Sequence, residues 1–486
     1  MRNSGVLLHI SSLPSPYGIG TMGESARKFI DFLKRAGVRF WQMLPVGPTG
    51  YGDSPYQSFS SFAGNPYFID LDTLIMGGWL TKEEADGVFW GSDPARADYG
   101  AIWAGRRKIF EKVYERFLRN VPGDFEEFCE DHTYWLDAYA DFMALKDKFG
   151  GGREDFPAEY RVRGDIRDVE GAGFYKMQQY FFYKQWDALR RYAHEQGILL
   201  IGDLPIYASA DSSDVWAFPE VFRLNGEYRP AEVAGCPPDD FTPDGQRWGN
   251  PLYDWDALRD SDYEWWHRRL CHQGTLFDRI RIDHFRGFES FFVIDAAAPT
   301  AREGHWEKGP GSAFFKRLKE RGGKFDIIAE DLGVITDEVR EMLEEAGYPG
   351  MKVLQFAFSH EEESFYLPYL CPHNAVMYTG THDNDTVLGW LSALSPDDRA
   401  YAVDFMRLND AEGYVWGVIK TALVSPADTA VLTMQDILEK DGSCRMNTPG
   451  TPAGNWQWRM SAEELAAAPA ENLHRLMRTY HRESNK

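Results

Sequence analysis

A repeated order of segments constrains the fold of this chain more than any other feature: an amphipathic helix, a closing glycine and then an apolar strand. The apolar residues of 29–36 have the i, i+3, i+4, i+7 spacing of one helix face, Gly37 follows, and 40–45 has the pattern of a strand. The same order recurs around Gly197 and Gly347. Glycine supplies the left-handed residue that ends a helix. Nearly continuous apolar strands are typical of a parallel sheet that is covered on both faces.

Eight strand candidates are spread along the 486 residues. They lie near 6–10, 40–46, 199–206, 279–284, 326–331, 352–358, 375–381 and 430–436. Eight parallel strands that alternate with helices predict the α/β fold of a (β/α)8 TIM barrel. A doubly wound open sheet is the alternative.

Two intervals between strand candidates are too long for ordinary connections. Residues 64–172 are rich in aromatic and charged residues and predict a mostly helical insertion. Residues 208–256 hold several prolines and glycines and predict a loop-rich insertion over the active site. Because each insertion follows a strand, both should overhang the face that carries the strand ends. The prediction is a single catalytic barrel over 1–486 with inserted subdomains.

Charge and cysteine content exclude several classes of partner. A formal net charge of −23 argues against nucleic acid and anionic membrane surfaces. The 5 cysteines are scattered without a C-x-x-C pair, which argues against a disulfide framework or zinc site and favours a cytoplasmic location. The first apolar run is too short for a signal peptide, and no run reaches the roughly 18 apolar residues of a membrane span. The aromatic content of 15% suits a neutral, hydroxylated ligand, although a large barrel core also uses aromatic rings.

Acidic residues end four of the predicted strands. They are Asp203, Asp283, Glu330 and Asp383. Burying a carboxylate at a strand end is costly unless the group is used, and barrel enzymes take their catalytic residues from the ends of several strands. Two carboxyl groups that flank a glycosidic bond can break it without a metal or cofactor. We therefore expect chemistry on a sugar at these strand ends.

The surroundings of Asp283 and Glu330 predict different protonation states. Arg281 shares a strand face with Asp283 and should lower the pKa of that carboxyl, as suits a nucleophile; a buried structural ion pair is the alternative. Glu330 follows the mostly apolar run 325–329, and its desolvation should raise the pKa, as suits a general acid. Asp331 should face the other way and either cap the next helix or bond to backbone groups, although spacing alone does not decide between Glu330 and Asp331.

Two other patterns point to cofactors that the rest of the sequence does not support. His382-Asp383 could ligate a metal, but no H-E-x-x-H or similar constellation accompanies the pair, so bonding to sugar hydroxyls is the better interpretation. Gly18 to Gly23 matches G-x-G-x-x-G, but a proline-containing loop separates it from the preceding strand and no acidic residue ends the next one. Neither a metal nor a cofactor is expected.

Several ordered motifs together resemble glycoside hydrolase family 77, the 4-α-glucanotransferases of the α-amylase superfamily. They are Ser11–Gly20, Leu44–Gln57, Gly202–Tyr207, Gln246–Pro251 and Asn447–Thr451. The resemblance spans nearly the whole chain. It implies a barrel without the C-terminal β-sandwich of amylases. One departure is Thr21-Met22, where the family pattern has Asp-Leu, in a loop away from the acids.

The resemblance implies an activity and a role for individual residues. Segments of an α-1,4-glucan would move from a donor maltooligosaccharide to the 4-hydroxyl of an acceptor glucan or glucose with retention of configuration. Asp283 would be the nucleophile, Glu330 the general acid/base, and Asp383 would hold the 2- and 3-hydroxyls of the reacting sugar. Seven further residues would bind substrate: Arg281, which also orients Asp283, His382, Asp203, His284, Tyr51, Trp248 and Asn455.

Transfer differs from hydrolysis only in the acceptor that reaches the intermediate. Transfer requires a bound sugar and the exclusion of water, for which the loop 231–253, Tyr51 and Trp248 are the candidates. An α-1,4-glucan hydrolase with the same residues and a non-catalytic glucan-binding protein remain the alternatives.

Overall fold

The computed structural model of the protein describes residues 2–238, 242–323, 325–333, 335–451 and 453–484, with the side chain of Tyr51 left out. Within these residues twelve strands, β1 to β12, lie in chain order at Asn3–Leu7, Phe40–Gln42, Leu199–Leu204, Glu232–Cys236, Gln246–Pro251, Arg279–Ile282, Ser290–Asp295, His305–Lys308, Ile327–Ala329, Gly350–Val353, Ala375–Tyr378 and Thr429–Thr433.

The helices of the same described residues, α1 to α18, fill the connections. They lie at Glu24–Arg35, Leu71–Met76, Lys82–Asp86, Tyr99–Arg119, Phe125–Asp131, Leu136–Phe149, Ala172–Glu195, Ser213–Ala217, Trp255–Asp260, Glu264–Leu276, Gly311–Glu320, Asp337–Ala346, Val387–Ala393, Pro396–Met406, Tyr414–Val424, Met434–Ile437, Ala462–Ala467 and Ala470–Thr479. None of them is long and apolar enough to cross a membrane.

Eight of the strands form a closed parallel barrel. Their order around it, β1-β2-β3-β6-β9-β10-β11-β12, follows the chain, and β12 closes the ring by pairing with β1. The predicted (β/α)8 barrel is confirmed, and the closure rules out an open sheet. All eight predicted strands are present, although each ends earlier than predicted because the last residues of each run turn into the loops above the barrel.

Glycines end the helices as the sequence pattern predicted. Gly37, Gly197 and Gly347 follow α1, α7 and α12 with φ of 69°, 80° and 73°. This left-handed conformation reverses the chain direction, and an apolar barrel strand follows within three residues of each glycine. The strands are buried on both faces: every residue of β11 and β12 is buried. The predicted rule that joins helix, glycine and strand is thus confirmed at these three positions.

A four-stranded antiparallel sheet, in the order β5-β4-β7-β8, lies outside the barrel. It joins the connection that follows β3 to the connection that follows β6, because β4 pairs with β7. The interval 208–256, predicted as a loop-rich insertion, contains β4 and β5, and β7 and β8 lie where no strand was predicted. Since β3 and β6 carry Asp203 and Asp283, the sheet is built from the loops of the face that carries the acids.

The other long interval, 64–172, is occupied mainly by helices. It contains α2 to α6 and ends where α7 begins at Ala172. Helix α7 packs on α4 and α6 of this interval and also on β3 of the barrel. After β12, helices α16 to α18 make up the secondary structure of the described C-terminal residues, apart from a short 3-10 turn at Gly442–Cys444 and an isolated bridge at Trp458.

Candidate active site

Four acidic side chains lie at the carboxyl ends of barrel strands. Asp203 lies in β3, Asp283 follows β6 directly, Glu330 follows β9 directly, and Asp383 lies in the connection after β11. The carboxyl ends of parallel barrel strands share one face. Asp203 and Asp383 are close enough to raise the pKa of Asp283, and Asp283 raises that of Glu330. The structure therefore brings the four predicted acids into one cluster.

Strand register places Asp283 and Glu330 side by side. Strands β6 and β9 are paired in parallel, with Ile282 opposite Ala329. The next residue of each strand is the acid, and the Glu330 amide donates to the Ile282 carbonyl at 3.0 Å. Neighbouring strands are about 4.8 Å apart. The two carboxyl groups thus begin from adjacent positions at one edge of the barrel.

Arg281 connects two of the acids. One guanidinium nitrogen donates to both oxygens of Asp203 at 2.8 Å, and the other contacts Asp283 Oδ1 at 3.0 Å. The predicted pairing of Arg281 with Asp283 is confirmed. Arg281 and Asp203 keep 4% and 0% of their side-chain surface exposed, whereas Asp283 keeps 29%. Asp203 is therefore the buried partner that holds Arg281 in place, and Asp283 faces the open cleft.

The predicted direction of the pKa shift of Asp283 is wrong. Burial raises the pKa of this carboxyl to about 6, and the neighbouring Arg281 opposes the rise without reversing it. Arg281 also compensates Asp203, with which it makes the closer contact. Its charge is therefore shared between two carboxylates, and only part of it acts on Asp283. Asp283 is ionised at neutral pH, but its pKa lies closer to neutral than the sequence indicated.

Glu330 is the acid with the higher affinity for a proton. Burial raises its pKa to about 7; Arg281 opposes the rise and the charge of Asp283 adds to it. The direction agrees with the prediction. The side chain is held by two backbone amides, since His284 donates to Oε2 at 2.7 Å and Leu332 donates to Oε1 at 2.9 Å. Glu330 is therefore fixed in orientation and carries a proton for a large part of the time near neutral pH.

Of the two roles expected for Asp331, capping the next helix and bonding to backbone, the structure shows the second. Its Oδ1 accepts a hydrogen bond from the Met351 amide at 2.6 Å, and its other oxygen lies 3.6 Å from Lys352. Both partners belong to β10. The structure thus resolves the choice that spacing left open: of the two adjacent acids, Glu330 faces Asp283 and Asp331 joins neighbouring strands.

Asp383 has surroundings that keep it ionised. Burial alone would raise its pKa, but His382 at 3.2 Å and the Asn447 amide, which donates to Oδ1 at 2.6 Å, lower the pKa to about 2. Asp383 in turn outweighs the effect of burial on His382 and raises the pKa of the imidazole. The side chain of Asp383 is 43% exposed. A carboxylate with permanent charge thus faces the cleft beside the other two acids.

An aromatic wall lies beside Glu330. The Trp248 indole meets the His284 ring edge-on, with 4.8 Å between ring centroids. Burial lowers the pKa of His284 to about 3, so the ring is neutral, and its buried Nε2 has no hydrogen-bond partner among the described residues. The Gln57 amide donates to the Trp248 carbonyl at 3.3 Å and ties this wall to the loop after β2. Of the two predicted substrate-binding residues, His284 therefore lies directly beside Glu330, and Trp248 packs on the His284 ring.

Asn455 and Tyr51 are the two remaining residues that were predicted to bind substrate. Asn455 uses its side chain within its own turn: Oδ1 accepts from the Thr448 amide and Nδ2 donates to the Thr451 carbonyl, both at 3.0 Å. Tyr51 begins a short 3-10 turn, Tyr51–Asp53, and its side chain lies outside the part of the chain that the structure describes.

Tyr56 was absent from the predicted set of site residues. Its hydroxyl donates to Asp203 Oδ2 at 2.9 Å, and its ring stacks on His382 with 5.1 Å between centroids. Trp456 lies next to both rings, at 5.9 Å from Tyr56 and 5.8 Å from His382. Tyr56 and Asn447, which contacts Asp383, both belong to motifs that carried the family resemblance, which was the available signal.

The structure gives the glycines of the G-x-G-x-x-G motif a packing role. A Cβ at Gly20 would lie 1.8 Å from the Ile10 carbonyl oxygen, and one at Gly23 would lie 2.2 Å from Asp70 Oδ1. Thr21, where the family pattern departs, also donates to Asp70 at 2.8 Å.

Among the described residues no group of three or more His, Cys, Asp and Glu side chains is placed to hold a metal ion. The chemistry available at this site is that of an ionised and a protonated carboxyl side by side.

Comparison with known proteins is consistent across sequence and structure. The model of glycoside hydrolase family 77, described as 4-alpha-glucanotransferase, matches residues 8–465. The 4-alpha-glucanotransferases of Streptococcus pneumoniae and Thermus thermophilus are 46% and 44% identical, over 99% and 96% of this chain and 97% and 96% of those proteins. An amylomaltase from Streptococcus agalactiae, solved in complex with acarbose, superimposes with a TM-score of 0.96 at 39% identity and covers 99% of this chain and 100% of its own.

Proposed function

The chain belongs to the 4-alpha-glucanotransferase family, glycoside hydrolase family 77, and on that premise we propose that Asp283 and Glu330 transfer α-1,4-glucan segments by double displacement. The observation that carries the proposal is their pairing: they follow register partners on β6 and β9. Both pKa values are raised, to about 6 for Asp283 and about 7 for Glu330. At neutral pH the pair therefore offers an ionised and a protonated carboxyl. A retaining mechanism requires the two carboxyl groups about 5–5.5 Å apart.

In the first step Asp283 attacks the anomeric carbon of the donor. The ion pair to Arg281 holds Oδ1, which leaves Oδ2 to form the bond. Glu330 gives its proton to the departing glycosidic oxygen, so that oxygen leaves as a neutral hydroxyl. The product is a covalent glycosyl-enzyme with an ester bond at Asp283.

In the second step the pair exchanges roles. Esterification removes the negative charge of Asp283, which had raised the pKa of Glu330. The Glu330 carboxylate left after the first step no longer faces that charge, and two backbone amides stabilise it. Glu330 then accepts the proton of an incoming 4-hydroxyl, and that oxygen attacks the anomeric carbon as the ester bond to Asp283 breaks. A new α-1,4 bond forms with retention of configuration.

Asp383 and His382 would hold the sugar while it reacts. The transition state resembles an oxocarbenium ion, and hydrogen bonds to its 2-hydroxyl strengthen as the positive charge develops. An anionic acceptor placed there favours the transition state over the ground state. The lowered pKa of Asp383, about 2, supports this role because the carboxylate stays charged at every pH at which Glu330 can act.

The donor and acceptor of this reaction are neutral α-1,4-glucans, maltooligosaccharides and glucose. Transfer needs an acceptor that outcompetes water, which is present at about 55 M, and therefore needs binding energy on the acceptor side. The Trp248–His284 wall beside Glu330 supports this role, since an aromatic surface binds sugar and excludes water. The five cysteines are scattered along the sequence without a C-x-x-C pair, which supports a reducing, cytoplasmic location.

Incubation with pure maltotriose separates transfer from hydrolysis. A transferase produces glucose together with maltopentaose and longer chains, whereas a hydrolase produces only glucose and maltose with a steady rise in reducing ends.

Asp283→Asn should lose about 10⁴-fold or more of the rate, as expected when a nucleophile is removed. Asp256→Asn, at an Asp with 82% of its side chain exposed on α9, is the matched control and should react like the parent. An Asp283→Asn enzyme within about tenfold of the parent would remove Asp283 from the mechanism.

A further inference from the structure

Asp383 is held by a segment that lies far from it in sequence. The Asn447 side-chain amide donates to Asp383 Oδ1 at 2.6 Å, and the Arg445 guanidinium donates to the Asp383 carbonyl. Two further hydrogen bonds belong to the same set, which we call the clamp. The Asn447 main-chain amide donates to the His382 carbonyl at 3.0 Å, and Arg445 Nε donates to the Asn447 carbonyl at 2.7 Å. Three hydrogen bonds thus join the segment 445–447 to the His382-Asp383 dipeptide, one of them from the Asn447 side chain, and the fourth lies within the segment.

We infer that Asn447 is a positioning residue, which fixes the Asp383 carboxylate in the orientation that receives the hydroxyls of the reacting sugar. This inference rests on the role proposed above for Asp383. One carboxylate oxygen, Oδ1, faces Asn447, and the other, Oδ2, lies 3.2 Å from His382 Nε2. With a partner on each oxygen the carboxyl plane cannot rotate freely. The lone pairs that remain on both oxygens face the 43% of the side chain that is exposed to the cleft.

Geometry makes the side chain separable from the fold of the segment. The three other contacts of the clamp use the main chain of Asn447 and His382 or the side chain of Arg445, and they persist when the Asn447 amide is replaced. Asn447 is only partly buried, so its replacement leaves no sealed cavity. A change at this position should therefore alter the freedom of Asp383 and leave the loop in place.

Asn447→Ala should lower kcat about 10- to 100-fold, the range that follows from losing one hydrogen bond to a charged group. KM for maltotriose should stay within about threefold, because the bond orients a group whose contacts strengthen in the transition state. The melting temperature should match that of the parent. A raised KM with unchanged kcat, or unchanged values of both, would overturn the inference.

Asn447→Asp provides a readout that a purely structural role would not move. The new carboxyl would lie against Asp383, and two carboxyls at that separation share one proton. At low pH the shared proton replaces the amide as donor to Asp383; at higher pH both groups ionise and repel. The charged and titratable groups that also face Asp383 are His382, Arg281, Asp283 and Tyr56, together with Arg445 on its carbonyl, and Asp203 acts on His382.

The activity of Asn447→Asp relative to the parent should therefore fall as pH rises, and the fall should begin at a lower pH than the loss of activity caused by deprotonation of Glu330. Asn447→Ala should lose the same factor at every pH. Asn472→Asp, which adds the same charge on α18 and keeps its contact with Arg475, should follow the parent profile. Parallel profiles for the Ala and Asp variants would overturn the inference.

Asp383→Asn separates the inference from the function on which it rests. If this variant loses activity while the Asn447 variants match the parent, the role of Asp383 stands and the role of Asn447 falls. If Asp383→Asn matches the parent, both fall.

Discussion

Removal of the Arg281 charge should destabilise the protein mainly through the carboxylate that it leaves behind. Arg281→Met preserves the length and apolar stem of the side chain beside Met351, whose sulfur lies 3.3 Å from Arg281 Nε. It leaves Asp203, whose side chain has 0% exposed surface, without a counter-charge. Breaking a buried pair in this way costs about 3–5 kcal/mol of the free energy of unfolding.

The double variant Arg281→Met/Asp203→Asn tests this reasoning. Replacing both members of a buried pair by neutral groups of similar volume is often close to neutral, and the amide oxygen introduced by Asp203→Asn would still accept the hydrogen bond that Tyr56 now donates to Asp203 at 2.9 Å. The double variant should therefore recover most of the lost stability. It should not recover activity, because Asp283 still lacks the guanidinium at 3.0 Å that fixes Oδ1.

Equilibrium unfolding in guanidinium chloride, followed by tryptophan fluorescence, measures the first effect, and the initial rate on maltotriose measures the second. Arg407→Met, in an ion pair whose partners are 84% and 80% exposed, is the matched control and should leave the unfolding midpoint unchanged. The reasoning is refuted if Arg281→Met costs less than about 1 kcal/mol, the range of exposed pairs. It is also refuted if the double variant is no more stable than the single one.

Two further predictions follow from the site and the barrel. Because Asp283 must be ionised and Glu330 protonated in the first step, kcat/KM should fall below about pH 6 and above about pH 7. The residual activity of Glu330→Gln should no longer fall above about pH 7, because the group that loses its proton there is absent. Gly202→Ala should cost about 1–3 kcal/mol or more, because its Cβ would lie 2.2 Å from the Phe277 ring, whereas Gly123→Ala, where nothing lies within 4 Å, should leave the melting temperature unchanged.

The same pKa values fix the sign of the pH dependence of stability. Both carboxyls bind protons more tightly in the folded than in the unfolded chain, since their pKa values are raised from 3.8 and 4.5 to about 6 and about 7. Their contribution to stability is thus fully present at low pH and is lost as pH rises through those values. A pH titration of the unfolding midpoint should show this loss, and Asp283→Asn should reduce it.

The barrel could be predicted because its signals are local. Each helix end, glycine and strand lies within a short stretch of chain, as at Gly37, Gly197 and Gly347, and eight strands that alternate with helices leave few arrangements. The antiparallel sheet could not be predicted in the same way. Strand β7 contains the apolar run 291–294, but its partner β4 lies in another insertion, so the pairing of Val233 with Ile294 depends on the folded barrel.

The acids of the site could be predicted as a set, but the balance of charge among them could not. Alternation along β6 correctly put Arg281 and Asp283 on one face. The sequence did not reveal that Asp203, 78 residues before Arg281, accepts from one guanidinium nitrogen with both oxygens and leaves Asp283 with a raised pKa. Tertiary contacts of this kind decide pKa values, and sequence spacing carries no information about them.

The central claim is that Asp283 becomes covalently attached to the sugar while Glu330 acts as acid and base, and mass spectrometry of a trapped intermediate tests it most directly. Glu330→Gln would be mixed with an α-maltosyl fluoride, whose leaving group needs no protonation, so the glycosyl-enzyme forms but its breakdown lacks a base. We predict an adduct of one maltosyl unit per chain, located by peptide mapping at Asp283. An unmodified chain, or an adduct on any other residue, would contradict the double-displacement mechanism at this site.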